Sequence, residues 1–153
     1  MRTAPEWRVE RWFNAGGESG LSAWRGRVVL ACAFQMLCPG CVQQAIPQLR
    51  RVRDTFPESD IVVAGLHTVF EHHEAMGPAA LEAFLQEHRV RFPVAVDEPG
   101  EPGGVPRTME RYAMQGTPTF LLIDREGCLR LQRFGHLSDL ELGACLGTLV
   151  AKS

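Results

Sequence analysis

The chain has 153 residues, 45% hydrophobic and 22% charged, enough for one sizeable core and too mixed for a disordered or fibrous protein. A net charge of −2 and a sequence pI near 6.2 give no electrostatic reason for nucleic acid or an anionic membrane as partner. The longest apolar run, Val28 to Phe34, is far too short to span a bilayer.

Taken in chain order, Met1 to Trp7 holds no apolar leader-like stretch, so with Met1 as the natural start a cytoplasmic location is expected, or the periplasm if a leader was trimmed. Trp7 to Phe13 alternates weakly and predicts a strand. Asn14 to Gly20 (NAGGESG) is turn-rich and predicts a hairpin or short return. Val28 to Phe34 (VVLACAF) predicts a strand buried on both faces. Cys38-Pro39-Gly40-Cys41 follows and opens a helix. Ala45, Leu49, Val52 and Phe56 fall on one face of that helix, which Pro57 ends.

Ile61 to Leu66 predicts a second buried strand. Leu81, Phe84 and Leu85 mark a helix running to about Arg89, and Phe92 to Val96 a short strand. Asp97 to Pro106 is a Pro/Gly-rich loop, and the acidic residues around Pro99 to Pro102 read as solvated. Arg107 to Met114 predicts a short helix. Thr119 to Asp124 and Cys128 to Phe134 form two strands around the turn Arg125-Glu126-Gly127. Ser138 caps a last helix with Leu142, Cys145, Leu146 and Leu149 on its apolar stripe. Early alternation implies parallel crossovers, and the late hairpin an antiparallel edge. Residues 1–153 are expected to form a single α/β domain, a mixed sheet with helices on both faces.

Five cysteines, an odd number, argue against a disulfide-stapled secreted scaffold and for a reducing compartment with one functional pair. A CxxC alone is a weak signal, but Cys38 and Cys41 sit where a buried strand hands over to an amphipathic helix. With Cys38 at the N-cap, the unpaired N–H groups of the first turn and the helix dipole favour its thiolate, below the free value of about 8.5. Pro39 suits the first helical position, where its missing N–H costs nothing. Cys41 lies one turn later, within disulfide reach, so Cys38 would attack a substrate disulfide and Cys41 would resolve the mixed intermediate. The bland alternatives are two buried structural thiols, or a zinc half-site that would need two more ligands. Gly116-Thr117-Pro118-Thr119 immediately precedes a strand, where proline is either cis, an edge residue or an ordinary turn proline.

Together these stretches resemble the thioredoxin superfamily, nearest to its TlpA-like and redoxin (AhpC/TSA-related) branch. The resemblance is carried by Ala4-Pro5-Glu6, RGRVVLACAF, CPGC, Phe92-Pro93-Val94 with Asp97, and GTPTFLLIDREG, and covers nearly the whole chain. It implies a thioredoxin-like three-layer sandwich with an N-terminal strand extension and a central αβ insertion. It also implies that Pro118 is cis and packs against the active-site disulfide, and that Thr117 offers backbone hydrogen bonds to an extended substrate segment. The intervening Pro39 and Gly40 stand in the reverse order of thioredoxin's, Leu37 replaces the usual aromatic, Cys32 a buried acid and Gln44 a common Glu. Pro47 falls one residue later than the usual helix proline.

Cys32 and Cys145 read as core thiols, with a third redox thiol the sharper alternative for Cys32; Cys128 follows a turn and is the candidate for an exposed thiol. His67, His72 and His73, with Glu71 and Glu74, read as solvated loop residues rather than a metal site. No cofactor is expected, since no Gly-rich nucleotide fingerprint is present. The partners expected are a disulfide-containing protein or small thiol substrate and a reducing protein or thiol. Three functions compete: a dithiol oxidoreductase, a peroxiredoxin-like peroxidase, and a non-catalytic module using the Thr117–Pro118 groove. A peroxidase needs a Thr three residues before its reactive cysteine. Gln35 stands there relative to Cys38, and Cys38 relative to Cys41.

Overall fold

Strand Val28–Phe34 is buried over its whole length, as an unbroken apolar run requires. Val28, Leu30, Cys32 and Phe34 pack into one core, and Val29, Ala31 and Ala33 into a second on the opposite face. The computed structural model describes residues 2–152 and builds one seven-stranded sheet around this strand.

The strands are β1 (Arg2–Thr3), β2 (Val9–Phe13), β3 (Val28–Phe34), β4 (Ile61–His67), β5 (Val94–Asp97), β6 (Thr119–Ile123) and β7 (Cys128–Phe134). The helices are α1 (Ile46–Thr55), α2 (Pro78–Glu87), α3 (Arg107–Arg111) and α4 (Asp139–Ala151). The sheet order is β1-β7-β6-β3-β4-β5-β2. β3, β4 and β5 run parallel, and every other pairing is antiparallel. The carboxyl ends of the three parallel strands therefore meet the amino end of β6 at one edge: Phe34 pairs His67, His67 pairs Val96 and Ala33 pairs Thr119. Residues of α1, α2 and α4 fill the first core, and residues of α3 with the tryptophans fill the second. Ser138 caps α4 as its position predicts, its hydroxyl accepting the Glu141 N–H at 3.1 Å. Among the described residues no helix is long and apolar enough to cross a membrane.

Several boundaries differ from the sequence-based expectation. The strand predicted from Trp7 starts only at Val9, because Trp7 turns inward to Trp12 and Trp24, with ring centroids 6.2 and 5.9 Å away. No hairpin forms over Asn14 to Gly20. Instead β2 pairs with the distant β5, and the Asn14 amide pins that junction by donating to the carbonyls of Val90 (2.8 Å) and Phe92 (3.2 Å). β5 begins at Val94 rather than Phe92, since Pro93 has no N–H for a ladder. α3 stops at Arg111 instead of Met114, and Ala113 takes a left-handed φ of 51°. β1, only two residues long, has no sequence signal.

Asp97, expected to open the Pro/Gly-rich loop, instead ends β5, where it is buried and holds that strand end together. Its carboxylate accepts the N–H of Thr108 (2.8 Å) and of Met109 (3.0 Å), and the Thr68 hydroxyl (2.9 Å). Burial pushes its carboxyl above the ordinary range, and these hydrogen bonds act in the opposite direction. The Thr108 hydroxyl in turn accepts the Arg8 N–H at 2.8 Å, so α3, β5, β4 and the entry to β2 meet at one buried group.

Candidate active site

The loop leaving β3 places Cys38 at the start of a helix. The Cys38 carbonyl accepts the N–H groups of Cys41 and Val42, both at 3.1 Å, and Pro39 is the first helical residue. The next turn, Cys41–Ala45, is a π-turn, closed by the Ile46 N–H on the Cys41 carbonyl five residues back. That extra residue accounts for the late position of Pro47. The widened turn also gives room where a proline ring would crowd the carbonyl four residues before it.

The two cysteines differ in access. Cys38 is half-buried and Cys41 fully buried, and both are free thiols. Burial, and next the hydrogen bond with Cys38, push the Cys41 thiol up to about 12; the main chain of Gln35 and the Thr117 hydroxyl act in the opposite direction. The Cys38 Sγ donates to the Thr117 carbonyl at 3.5 Å, from 79 residues away. The Thr117–Pro118 bond is cis, and a Cβ at Gly40 would lie 3.6 Å from Pro118 Cδ, so this proline rests on the helix start. The structure thus brings Cys38, Gly40, Cys41, Thr117 and Pro118 together, with Pro39 exposed on the first helical turn.

Leu37 (55% exposed) adjoins Cys38, and Phe134 (50% exposed) lies over Gly116, beside Thr117. Cys32 lies in the core on the Cys41 side of β3, its thiol raised well above the ordinary range, first by burial and then by the two neighbouring cysteines. Cys145 is half-buried on α4. Cys128 is also half-buried, pairs with Thr3, and sits at the opposite end of the sheet from Pro118.

The histidine cluster is not one cluster. His72 and His73 are exposed, but His67 ends β4 and is buried, because its strand is central in the sheet. Among the described residues no group of three or more His, Cys, Asp or Glu could hold a metal ion. The His67 Nε2 accepts the Met36 N–H at 3.3 Å, two residues before Cys38, and burial lowers its imidazole to about 4. The folded protein therefore binds this proton less tightly than the unfolded chain. The resulting stability is present above the ordinary pKa of about 6.5 and is lost as pH falls towards the folded value, a change of about 3 kcal/mol. Denaturant midpoints should fall between about pH 7 and about pH 4.5. His67→Gln, which keeps an acceptor for Met36, should flatten that slope, while Asp97 is common to both proteins and cancels. An equal slope in the variant would remove His67 as the cause.

Gln35 and His67 both follow or end an apolar strand, and nothing in their local sequence marks them as site residues. Gln35 is buried; its side-chain oxygen accepts the Phe70 N–H (3.2 Å), and its Nε2 donates to Thr117 Oγ1 (3.3 Å) and Glu71 Oε1 (3.4 Å). A cleft of about 430 Å³ opens beyond His67 and Asp97, lined by Phe70, Met76 and Val96, and touches neither sulfur of the pair.

The AhpC/TSA family pattern matches residues 2–132. The chain is similar to the crystal structure of a thioredoxin-like superfamily protein, with 52% identity, a TM-score of 0.97, and 100% of this chain and 99% of that chain covered. It is also similar to a thiol-disulfide isomerase from Corynebacterium glutamicum, with 44% identity, a TM-score of 0.93, and 98% of each chain covered. A thioredoxin-like protein solved in its oxidized form shares the fold at 21% identity and a TM-score of 0.80, over 99% of this chain and 97% of that one. No curated protein matches the chain.

Proposed function

The chain belongs to the AhpC/TSA family, within the thioredoxin superfamily, and on that premise we propose that it is a thiol–disulfide oxidoreductase with Cys38 as nucleophile and Cys41 as resolving thiol. The observation that carries this is the asymmetry of the pair. Cys38 is reachable at a helix start beside the Thr117 carbonyl, and Cys41, one turn later, is fully buried.

In the reducing direction the Cys38 thiolate attacks one sulfur of a substrate disulfide, and the other sulfur leaves as a thiolate. Cys41 then attacks the Cys38 sulfur, the Cys38–Cys41 bond forms, and the second substrate thiolate departs. Two electrons pass to the substrate, and the two protons of the dithiol end on its thiols. A reducing protein or small thiol restores the pair. Exposed Leu37 and Phe134 beside the site favour an extended polypeptide as the disulfide carrier, paired with the Thr117 main chain. The proposal includes a reducing compartment, the cytoplasm, supported by the odd number of cysteines.

Insulin reduction by dithiothreitol should be accelerated by catalytic amounts of the protein. Rapid consumption of hydrogen peroxide with insulin untouched would replace this proposal with a peroxidase. The direction follows from the potential of the Cys38–Cys41 couple: near about −270 mV it is a reductant, near about −120 mV an oxidant.

A further inference from the structure

His67 stands between the dithiol loop and the cleft beyond it. It pairs with Phe34 on one side and Val96 on the other, at the sheet edge from which the Cys38 loop leaves, so cleft and dithiol share one end of the molecule. The ring is 1% exposed, lies against Phe34 with centroids 5.1 Å apart, and is part of the cleft lining. Its Nε2 accepts the Met36 N–H, so in the neutral imidazole the proton is on Nδ1. Burial lowers this imidazole to about 4 and so keeps it neutral near pH 7. Among the described residues no hydrogen bond takes up Nδ1, which leaves one N–H donor for an occupant of the cleft.

The walls of the cleft are Phe70, Met76, Leu81 and Val96, around a volume of about 430 Å³, room for a large side chain. Its carboxylates are Glu10, Asp97 and Glu101. Asp97 is spent on Thr68, Thr108 and Met109, and Glu101 pairs with Arg107 at 3.0 Å. No Lys or Arg lines the cleft among the described residues. An anionic occupant would meet repulsion and no cation, whereas a neutral one meets apolar walls and a single donor. Phe70 also joins the cleft to the substrate groove. Its N–H donates to Gln35 Oε1 (3.2 Å), and the Gln35 Nε2 donates to Thr117 Oγ1 (3.3 Å).

We infer that the cleft is a specificity subsite for the substrate polypeptide, taking a large side chain with an apolar body and a neutral acceptor at its tip, as in tyrosine, which receives the His67 Nδ1–H. This rests on the dithiol reading above, with the substrate segment extended along Thr117. One side chain, Gln35, separates that segment from the cleft wall.

The test uses peptide disulfides that differ in one residue, Tyr, Phe, Ala or Glu, set at successive positions on either side of the cysteine. At one position kcat/KM should favour Tyr over Phe about fivefold, and Phe over Glu about tenfold. His67→Phe removes the donor and should bring the Tyr-to-Phe ratio to about one. A structural fault in that variant would slow both peptides alike and leave the ratio where it was. No preference at any position, a preference for Glu, or a ratio that survives His67→Phe would overturn the inference. The dithiol proposal stands in each of those cases while Cys38→Ser is inactive on the same peptides. Reduction of them by Cys38→Ser at the wild-type rate would sink both.

If His67→Phe does not fold, Phe70→Ala removes a cleft wall and keeps the main-chain N–H on Gln35. It should lower the Tyr and Phe peptides to the rate of the Ala peptide, and unchanged rates would overturn the inference.

Discussion

Cys38→Ser is expected to lower insulin-disulfide reduction by ~10³-fold or more, to the rate of dithiothreitol alone. A serine hydroxyl at this place cannot form the mixed disulfide, and Cys41, with no exposed surface and its thiol pushed up to about 12, cannot substitute for it. Cys41→Ser has a different expected result. Cys38 still reacts, but no neighbour displaces the substrate, so a mixed disulfide accumulates that survives a non-reducing gel and disappears on reduction. Together the two variants order the roles. Substantial insulin reduction by Cys38→Ser, or trapping by Cys38→Ser rather than by Cys41→Ser, would reverse or abolish the assignment. Cys32→Ala is the control that separates a neighbour from a participant, since Cys32 has no exposed surface and its thiol is held well above the ordinary range.

The largest expected loss of stability away from the dithiol is at Asp97. Replacing it by alanine strips an acceptor from the Thr108 and Met109 N–H groups and from the Thr68 hydroxyl at once, all in the interior. A buried network broken on one side costs about 3–5 kcal/mol, because the abandoned donors keep their desolvation penalty. For a chain of this size that corresponds to a fall in melting temperature of about 10 °C. Asp97→Asn should lie between, since its amide oxygen can serve one of the donors but its NH₂ faces the others. The carboxylate itself carries a burial penalty: its raised pKa means that stability is lost as pH rises from the ordinary carboxylate range through the folded value. The alanine variant should therefore lose relatively less against wild type at neutral pH than the hydrogen bonds alone imply. A change in melting temperature below about 2 °C would show that Asp97 is not the tie between α3 and the sheet.

How much of this was legible beforehand depends on the range of each interaction. Val28 to Phe34 announces a doubly buried strand because every residue of it is apolar, and its place between β6 and β4 agrees. The CxxC at the strand-to-helix junction was visible for the same local reason, as was the Ser138 cap, whose hydrogen bond spans three residues. The displaced Pro47 was visible as an offset, but its resolution by a π-turn was not, since a sequence does not say where an inserted helical residue is absorbed. His67 was misread as solvated because a histidine at the end of an apolar run has no periodicity of its own. Of the hairpin or short return expected over Asn14 to Gly20, no hairpin forms, because turn residues mark a reversal without naming the strand with which β2 pairs.

By itself, then, the order of residues determined the elements that depend on patterns a few positions long: buried strands, the helix carrying the two cysteines, the capped last helix, and the mixed α/β class. The tertiary structure alone decided which distant groups share a site. Thr117 meets Cys38 across 79 residues, Gln35 reaches Thr117 and Phe70, and Asp97 gathers donors from two segments. The physical reason is that periodicity and capping are satisfied within one or two turns of chain. The neighbours of a sulfur are set by strand order in the sheet, which the hydrophobic burial of the whole chain selects at once.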